Sequence, residues 1–269
     1  MTYRNLCKLL TDAGVENASF DATVLMENYL KIGYYTLRTS PDVEYTSEAL
    51  DAAIARRCAR EPLQYILGEW EFWRECYEVS EHCLVPRPDT EHLVEQAILR
   101  LPQGARFLDL CTGSGCVAIS TLCSRPDTSA VAVDLFEQTL ALAGRNAVRN
   151  GVKERVEFRL ADVLAGCAEE NAYDAILSNP PYIRDDVVPT LSKEVSHEPV
   201  AALCGGADGL DFYRAILTKW EKALKRGGFF LFEIGFDQAE DLKKLAAEHQ
   251  LKATVFRDYG GNDRVVLLQ

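Results

Sequence analysis

From residue 105 onward, short apolar runs alternate with longer stretches of helical periodicity. Arg106 to Asp109, Ser129 to Asp134, Val156 to Ala161, Tyr173 to Ser178 and Phe229 to Ile234 have the length and content of buried strands. Between them, Cys116 to Cys123, Phe136 to Asn150, Asp208 to Leu224 and Gln238 to His249 read as helices, and Gly227-Gly228 punctuates the chain before Phe229. Leu251 to Phe256 and Arg264 to Leu268 add two last strands, separated by Gly260-Gly261, that can pair antiparallel at one edge. This rhythm predicts an α/β domain built on a doubly wound sheet of seven strands.

The first 67 residues follow a different pattern. Leu6, Leu9, Leu10 and Ala13 recur at helical spacing before Gly14. Val24, Leu25, Met26, Tyr29 and Leu30 form a second apolar face, ended by Gly33. A third helix is expected to start near Ser47, carry Leu50, Ala53, Ile54 and Cys58 on one side, and end or kink at Glu61-Pro62. Residues 1–67 therefore read as a small helical domain. Residues 68–88, with Trp70, Phe72, Trp73, Tyr77, Val79 and Leu84 in partial alternation, read as a hairpin linker, and residues 89–269 as the main domain. Pro86-Arg87-Pro88-Asp89-Thr90-Glu91 makes a stiff approach to a further helix carrying Leu93, Val94, Ala97, Ile98 and Leu101. Asp89 or Thr90 is placed to cap it, and Arg87 is either an anion contact or a solvated side chain.

Composition narrows the classes. The chain has 269 residues, is 48% hydrophobic and carries a formal net charge of -12 with no long basic run, which argues against stable nucleic-acid binding. Nine cysteines are scattered without a Cys-x-x-Cys pair. The opening residues lack an apolar signal core, and no run approaches a membrane span. A reducing, cytoplasmic setting without membrane contact is expected. His82, His92, His197 and His249 lie far apart in sequence, so no bound metal is expected.

The candidate chemistry gathers at strand ends. Asp109-Leu110-Cys111-Thr112-Gly113-Ser114-Gly115 closes the first strand of the main domain and opens a helix. Its glycines let backbone approach a ligand, and the free N–H groups of a helix start favour an anion. Cys111 carries a Cβ and is expected to keep ordinary dihedrals. Asp134 ends the second strand, where a carboxylate can accept two ribose hydroxyls. Asp162 ends the third, where it can accept from an adenine amino group with Val163 flanking the ring. Asn179-Pro180-Pro181-Tyr182 follows the fourth. Asn179 can accept through its oxygen, Pro180 keeps a free carbonyl, and Tyr182 offers a flat face, so the segment can hold and sandwich a planar amide or amino group. A Pro-rich turn begun by Asn is the bland alternative.

Gly113-Ser114-Gly115-Cys116-Val117-Ala118 with Asp134 also fits a dinucleotide fingerprint, which keeps a nicotinamide-dependent dehydrogenase open. The fourth strand separates the two, because hydride transfer has no evident need of Asn-Pro-Pro-Tyr, whereas methylation of nitrogen needs acceptors at the reacting NH2. An adenine-N6 or other nucleic-acid amino methyltransferase would use the same tetrapeptide.

With these segments in place, the chain resembles the protein-(glutamine-N5) methyltransferase family that modifies peptide chain release factors. The likeness runs through Pro62-Leu63-Gln64-Tyr65-Ile66-Leu67-Gly68, Pro86 to Glu91, Asp109 to Gly115, Asp134 and Ser178 to Ile183. It continues in His197-Glu198-Pro199, Gly205 to Leu210 and Glu233-Ile234-Gly235. Where the family often has glycine, this chain has Cys111. The resemblance implies a class I methyltransferase-like sheet, S-adenosyl-L-methionine as cofactor, and a helical N-terminal domain that helps hold the release factor. It also implies the glutamine of a Gly-Gly-Gln tripeptide as substrate. Asn179 and Pro180 are then the expected catalytic groups, with Pro181 and Tyr182 also binding substrate. The expected cofactor site is Cys111, Thr112, Gly113, Ser114, Gly115, Asp134, Asp162, Val163 and Asn179. A monomer is expected. Glu198 is the nearest candidate base, although a helix cap or loop salt bridge suits it better.

Overall fold

The computed structural model describes residues 1–269. The chain forms two compact units. One comprises Met1–Gly68 with Ser192–His197, the other Glu69–Leu191 with Glu198–Gln269.

The first unit contains α1 (Tyr3–Asp12), α2 (Ala18–Leu30), α3 (Tyr34–Thr39), α4 (Glu48–Cys58) and α5 (Leu63–Leu67). The Thr2 hydroxyl caps α1 by accepting from the Asn5 N–H at 3.1 Å, and Ser47 caps α4 through the Leu50 N–H at 3.3 Å. Leu6 and Leu10, one turn apart, are buried with Leu25, Met26 and Leu50, whereas Leu9 is exposed on the next face of α1. The short helices α3 and α5 have no periodic signature. Five or six residues give too few repeats, and Pro62 precedes the first turn of α5 as well as following α4.

Charge also holds this unit together. The Arg57 Nε donates to Asp21 at 2.6 Å, with both residues buried. Arg57 Nη2 and both Nε and Nη2 of Arg60 donate to the Glu194 carboxylate at 3.0, 2.6 and 2.6 Å. Burial acts to raise the Glu194 pKa, but the Arg60 and Arg57 guanidiniums hold it at about 2.

The second unit begins with the hairpin β1 (Glu69–Phe72) and β2 (Glu75–Glu78), followed by α6 (Glu91–Arg100). The sheet strands are β3 (Arg106–Leu110), β4 (Ser129–Asp134), β5 (Val156–Leu160), β6 (Tyr173–Ser178), β7 (Leu224–Glu233), β8 (Ala253–Arg257) and β9 (Asp263–Leu268). The helices between them are α7 (Cys116–Ser124), α8 (Glu137–Arg149), α9 (Asp211–Lys219) and α10 (Ala239–Glu248). The seven strands run in the order β5-β4-β3-β6-β7-β9-β8. Only β9 breaks the parallel run, pairing antiparallel with both β7 and β8. The seven-stranded doubly wound sheet stands as expected. Its strand order reverses between β3 and β6, and a crevice opens at such a switch point, outside the carboxyl ends of the strands.

Two boundaries differ from the sequence pattern. The expected helix from Asp208 to Leu224 is only α9, followed by a 3₁₀ turn over Glu221–Ala223. The strand expected from Phe229 starts at Leu224 and runs through Gly227-Gly228. Gly227 has φ +82°, and the pairing with β6 shifts register between Tyr173 and Ala175. The glycines therefore mark an irregular stretch inside a strand rather than its boundary. One face of the sheet packs Leu108, Ile176, Phe230, Phe232 and Val266 against Tyr213, Ile216 and Trp220, all buried.

Candidate active site

A cavity of about 420 Å³ opens at the carboxyl ends of β3, β4 and β6. That volume is within the range of small-molecule and cofactor pockets. Of the residues expected to bind cofactor, Cys111, Thr112, Gly113, Ser114, Asp134, Asp162, Val163 and Asn179 line it. Gly115 does not line it and serves the turn behind it. Gly115 has φ +82°, and a Cβ there would come within 2.8 Å of Ile119 Cδ1 and 3.2 Å of the Ala143 Cβ.

The glycine loop is pinned from behind by one buried amide. Asn146 Nδ2 donates to the Ser114 carbonyl at 2.9 Å and to the Glu78 carbonyl at 3.0 Å, while its oxygen accepts the Glu78 N–H at 2.7 Å. The hairpin thus braces the loop that borders the cavity. Cys111 departs from expectation. Its φ is +59°, in the left-handed region. The Thr112 N–H must reach the Val133 carbonyl at 3.0 Å, so the turn begins one residue earlier than the glycines suggest. The Cβ of Cys111 makes that conformation cost about 1–2 kcal/mol, and its side chain packs against the core beneath.

Asp134 Oδ2 accepts the Gly113 N–H at 3.0 Å and Oδ1 the Phe136 N–H at 3.2 Å. Each oxygen keeps a further lone pair for a hydroxyl. Burial raises the Asp134 pKa against these backbone donors. Asp162 is exposed and holds the Leu164 N–H at 2.8 Å through Oδ1, and Val163 is buried beside it. Leu135 and Phe136, both about half exposed, extend the apolar lining next to Asp134.

Asp109 lies deeper and is almost fully buried. Its Oδ2 accepts from the Thr112 hydroxyl at 2.6 Å and the Ala118 N–H at 3.2 Å. Burial nevertheless pushes its pKa up to about 7. Between about pH 4, where a free aspartate titrates, and pH 7, the folded state keeps a proton that the unfolded chain has released. Stability must therefore fall as pH rises through that window and stay at the lower level above it. Asp109→Asn keeps an oxygen for both donors and cannot ionise. Its stability relative to wild type should be unchanged near pH 4 and higher by at least about 1 kcal/mol at pH 8. Urea unfolding at both pH values checks this, and a pH-independent difference would show that ionisation of Asp109 is not its source.

At the end of β6 the four expected substrate residues separate. Asn179 and Pro181 line the cavity, whereas Pro180 is buried outside its lining. The Tyr182 ring packs on the core and its hydroxyl donates to Glu233 Oε1 at 3.3 Å. Burial raises the Tyr182 pKa, and the Glu233 charge adds to the rise. Asn179 Nδ2 donates to the Thr90 Oγ1 at 3.1 Å. Its side-chain oxygen is thereby the end of the amide left to serve the cavity. Thr90 was a candidate helix cap, as was Asp89. Neither side chain caps α6: Thr90 is spent on Asn179, and Asp89 pairs with Arg264 at 3.3 Å.

The glycine segment after the tetrapeptide explains its shape. Gly205 N–H donates to the Ile183 carbonyl at 2.8 Å while Ile183 N–H donates to the Leu203 carbonyl at 2.9 Å. A Cβ on Gly205 would sit 2.7 Å from the Tyr182 Cα and 2.8 Å from the Pro181 carbonyl oxygen. Only glycine allows the two backbones to lie this close. Glu198 is buried and pairs with Arg87, and its Oε2 accepts the Val85 N–H at 3.3 Å. Burial raises its pKa against the pull of Arg87. The salt-bridge alternative for Glu198, and the ionic one for Arg87, are what the structure contains.

Sequence reasoning overlooked Thr90 as a partner of Asn179 and Glu233 as a neighbour of Tyr182. Both lie in motifs already visible, Pro86 to Glu91 and Glu233-Ile234-Gly235, but nothing in a linear pattern joins positions 89 and 51 residues apart.

Comparison with known proteins gives a consistent picture. The family model described as PrmC N-terminal domain matches residues 2–68, and that described as Methyltransferase small domain matches residues 89–203. The chain is 40% identical over 262 residues to a release factor glutamine methyltransferase of Cereibacter sphaeroides, covering 96% of this chain and 93% of that one. It is 37% identical over 262 residues to one from Fusobacterium nucleatum, covering 94% and 74%. The crystal structure of ribosomal protein L11 methylase from Lactobacillus delbrueckii subsp. bulgaricus matches with a TM-score of 0.51 at 18% identity. That match spans 68% of this chain and 79% of that one and is a likeness of fold.

Proposed function

The chain belongs to the release factor glutamine methyltransferase family, and on that premise we propose that it methylates the side-chain amide nitrogen, N5, of a glutamine in a peptide chain release factor, within a Gly-Gly-Gln tripeptide. The cofactor is S-adenosyl-L-methionine, which when bound supplies an activated methyl group on a sulfonium. The cavity suits it. Asp134 retains two acceptor lone pairs for ribose hydroxyls, and Asp162 and Val163 offer an acceptor and an apolar wall for adenine. The glycine loop brings backbone N–H groups to the start of α7 for a carboxylate.

The observation that carries the reading is the hydrogen bond from Asn179 to Thr90. It commits the amide nitrogen to the protein and leaves the oxygen as an acceptor. An amide nitrogen is a weak nucleophile because its lone pair is conjugated with the carbonyl, and it becomes positive as it gains a methyl. Asn179 Oδ1, on the cavity wall, is the proposed acceptor for one of its hydrogens, and the carbonyl of Pro180, the next residue of the turn although outside the lining, is the proposed acceptor for the other; together they orient the nitrogen and stabilise the charge that develops. Pro181 and Tyr182 complete the proposed substrate site, with Pro181 on the wall and Tyr182 holding the turn from the core side. No ionised base is assigned to the reacting nitrogen. Glu198 is committed to Arg87 and is not assigned that role, and the proton is proposed to leave to water after transfer.

The helical domain over residues 1–67 is proposed to recognise the release factor, and residues 68–88 to form the hairpin that connects it to the catalytic domain. The enzyme is proposed to act as a cytoplasmic monomer without stable nucleic-acid binding, in keeping with a net charge of -12. No helix is long and apolar enough to cross a membrane. The test is to incubate the enzyme with labelled cofactor and either purified release factor, duplex DNA or ribosomal RNA, and to map the product by fragmentation mass spectrometry. One methyl on the glutamine side-chain nitrogen is expected. A mark on adenine, arginine or a carboxylate would refute the assignment.

A further inference from the structure

Thr90 has one hydroxyl proton and can either donate or accept towards Asn179. A side-chain amide can likewise present either its oxygen or its NH2 to the cavity. Something must decide both, because only the oxygen can accept a hydrogen from the reacting nitrogen. The group placed to decide is Glu233, at the carboxyl end of β7 and 1% exposed, whose carboxyl lies beside the Thr90 hydroxyl and is stabilised by it in the charged form. Tyr182 donates to its Oε1, and its Oε2 has no hydrogen-bond partner. A buried carboxylate oxygen without a donor is costly, and it remains available to take a proton from a neighbouring hydroxyl.

We propose that Glu233 is a positioning residue that accepts the Thr90 proton, compels Thr90 to accept from the Asn179 NH2, and so fixes the Asn179 oxygen towards the substrate. The inference rests on the reading of Asn179 as the acceptor at the reacting nitrogen. The order of donors is then Asn179 to Thr90 to Glu233, with Tyr182 donating to the same carboxylate from the other side. The carboxylate also sets Tyr182, so both the acceptor and the turn that follows it hang on one group.

The relay has a protonation state. Burial raises the Glu233 pKa to about 7, opposed by Thr90, Arg264 and Tyr182 in that order and assisted by Asp89. The other titratable groups coupled to the carboxyl are Tyr213 and Cys116, both neutral near pH 7 because burial raises their pKa. Arg264 is itself paired with Asp258 at 3.2 Å. Above pH about 7 the carboxylate can only accept, and the donor order is fixed. Below it, a protonated Glu233 can donate to Thr90, which is then free to donate to the Asn179 oxygen and turn the amide around. The rate of the bound complex should rise with pH towards a plateau above 7.

The experiment is single-turnover methylation of folded release factor at saturating cofactor, from pH 6 to 9, for wild type, Glu233→Gln, Thr90→Val and Thr90→Ser. Cofactor affinity is measured in parallel by calorimetry. Glu233→Gln has nearly the same shape but can donate as well as accept. It should fall about tenfold at pH 8, the rate equivalent of one hydrogen bond, and lose the rise with pH. Thr90→Val should do the same, and Thr90→Ser should restore both rate and pH profile. Cofactor affinity should change less than threefold in all (~0.6 kcal/mol). A wild-type rate and profile in Glu233→Gln, or a preserved rise with pH in Thr90→Val, would overturn the relay. Asn179→Ala run alongside separates the two levels. If it is slow while Glu233→Gln is normal, only the relay fails; if it is as fast as wild type, the acceptor reading fails first.

Discussion

Asn179→Ala is expected to slow single-turnover methylation of a folded release factor by roughly two orders of magnitude, with the fold and cofactor affinity largely kept. The scale comes from removal of one preorganised polar contact at a charge-developing centre, about 2.7–4 kcal/mol where an oxyanion is stabilised. Here the developing charge is positive and the lost group is an acceptor, and the proposed Pro180 carbonyl remains as a second one. Asn179 lies at the carboxyl end of β6, on the cavity wall, with its nitrogen already bonded to Thr90 at 3.1 Å. Truncation therefore removes the free oxygen from the site and a donor from Thr90, with little effect on the core. Asn179→Asp is the finer probe. It keeps an acceptor but loses the donor to Thr90 and adds a charge, so Thr90 must give its proton to residue 179 instead of Glu233. Near-wild-type turnover in Asn179→Ala would remove this residue from the mechanism.

The largest expected loss of stability lies in the other unit. Arg57→Ala should destabilise the helical unit by about 3 kcal/mol, because it strands Asp21 as an unpaired buried carboxylate and leaves Glu194 with Arg60 alone. Burial already works to raise the Asp21 pKa, with Arg57 opposing it. Removing Arg57 leaves the rise unopposed, so Asp21 takes up a proton on folding and the damage grows with pH above its free-carboxyl range. Hydrogen exchange of α2 and α4 amides reads this locally. The paired replacement Asp21→Leu with Arg57→Met should recover most of the loss, since apolar side chains of similar volume replace the ion pair. A loss below about 0.5 kcal/mol in Arg57→Ala would show that the pair is energetically idle.

These two sites differ in how visible they were beforehand. The strands and the chemistry at their ends were legible because turn residues and ligand-facing residues coincide there. Asp109 to Gly115, Asp134, Asp162 and Asn179 each follow an apolar run, and a parallel strand has to deliver its last residues to one rim of the sheet. Boundaries set by tertiary pairing were not legible. Leu224 to Arg226 carries no strand signal of its own, yet it enters β7 because Leu224 pairs with Tyr173. Cys111 adopts a left-handed φ that its side chain resists, because the Thr112 N–H has a partner on β4 to reach. Thr90 looked like a cap because hydroxyls before helices usually are, and its true partner comes from the far side of the sequence. Arg57 and Glu194, 137 residues apart, are each an ordinary charge until the fold brings them together.

The membership of Ser192–His197 in the helical unit has a consequence for synthesis. A chain made from its N-terminus has all five helices of that unit in hand by Leu67, but Glu194 follows Arg60 by 134 residues. At about 5–20 residues per second, the two arginines wait on the order of ten seconds or more for their shared carboxylate. During that interval Arg57 has Asp21 as its carboxylate partner while Arg60 has yet to meet Glu194, and almost the whole parallel part of the sheet except β7 is synthesised. The last piece of the first unit to form is thus released from the ribosome after most of the second.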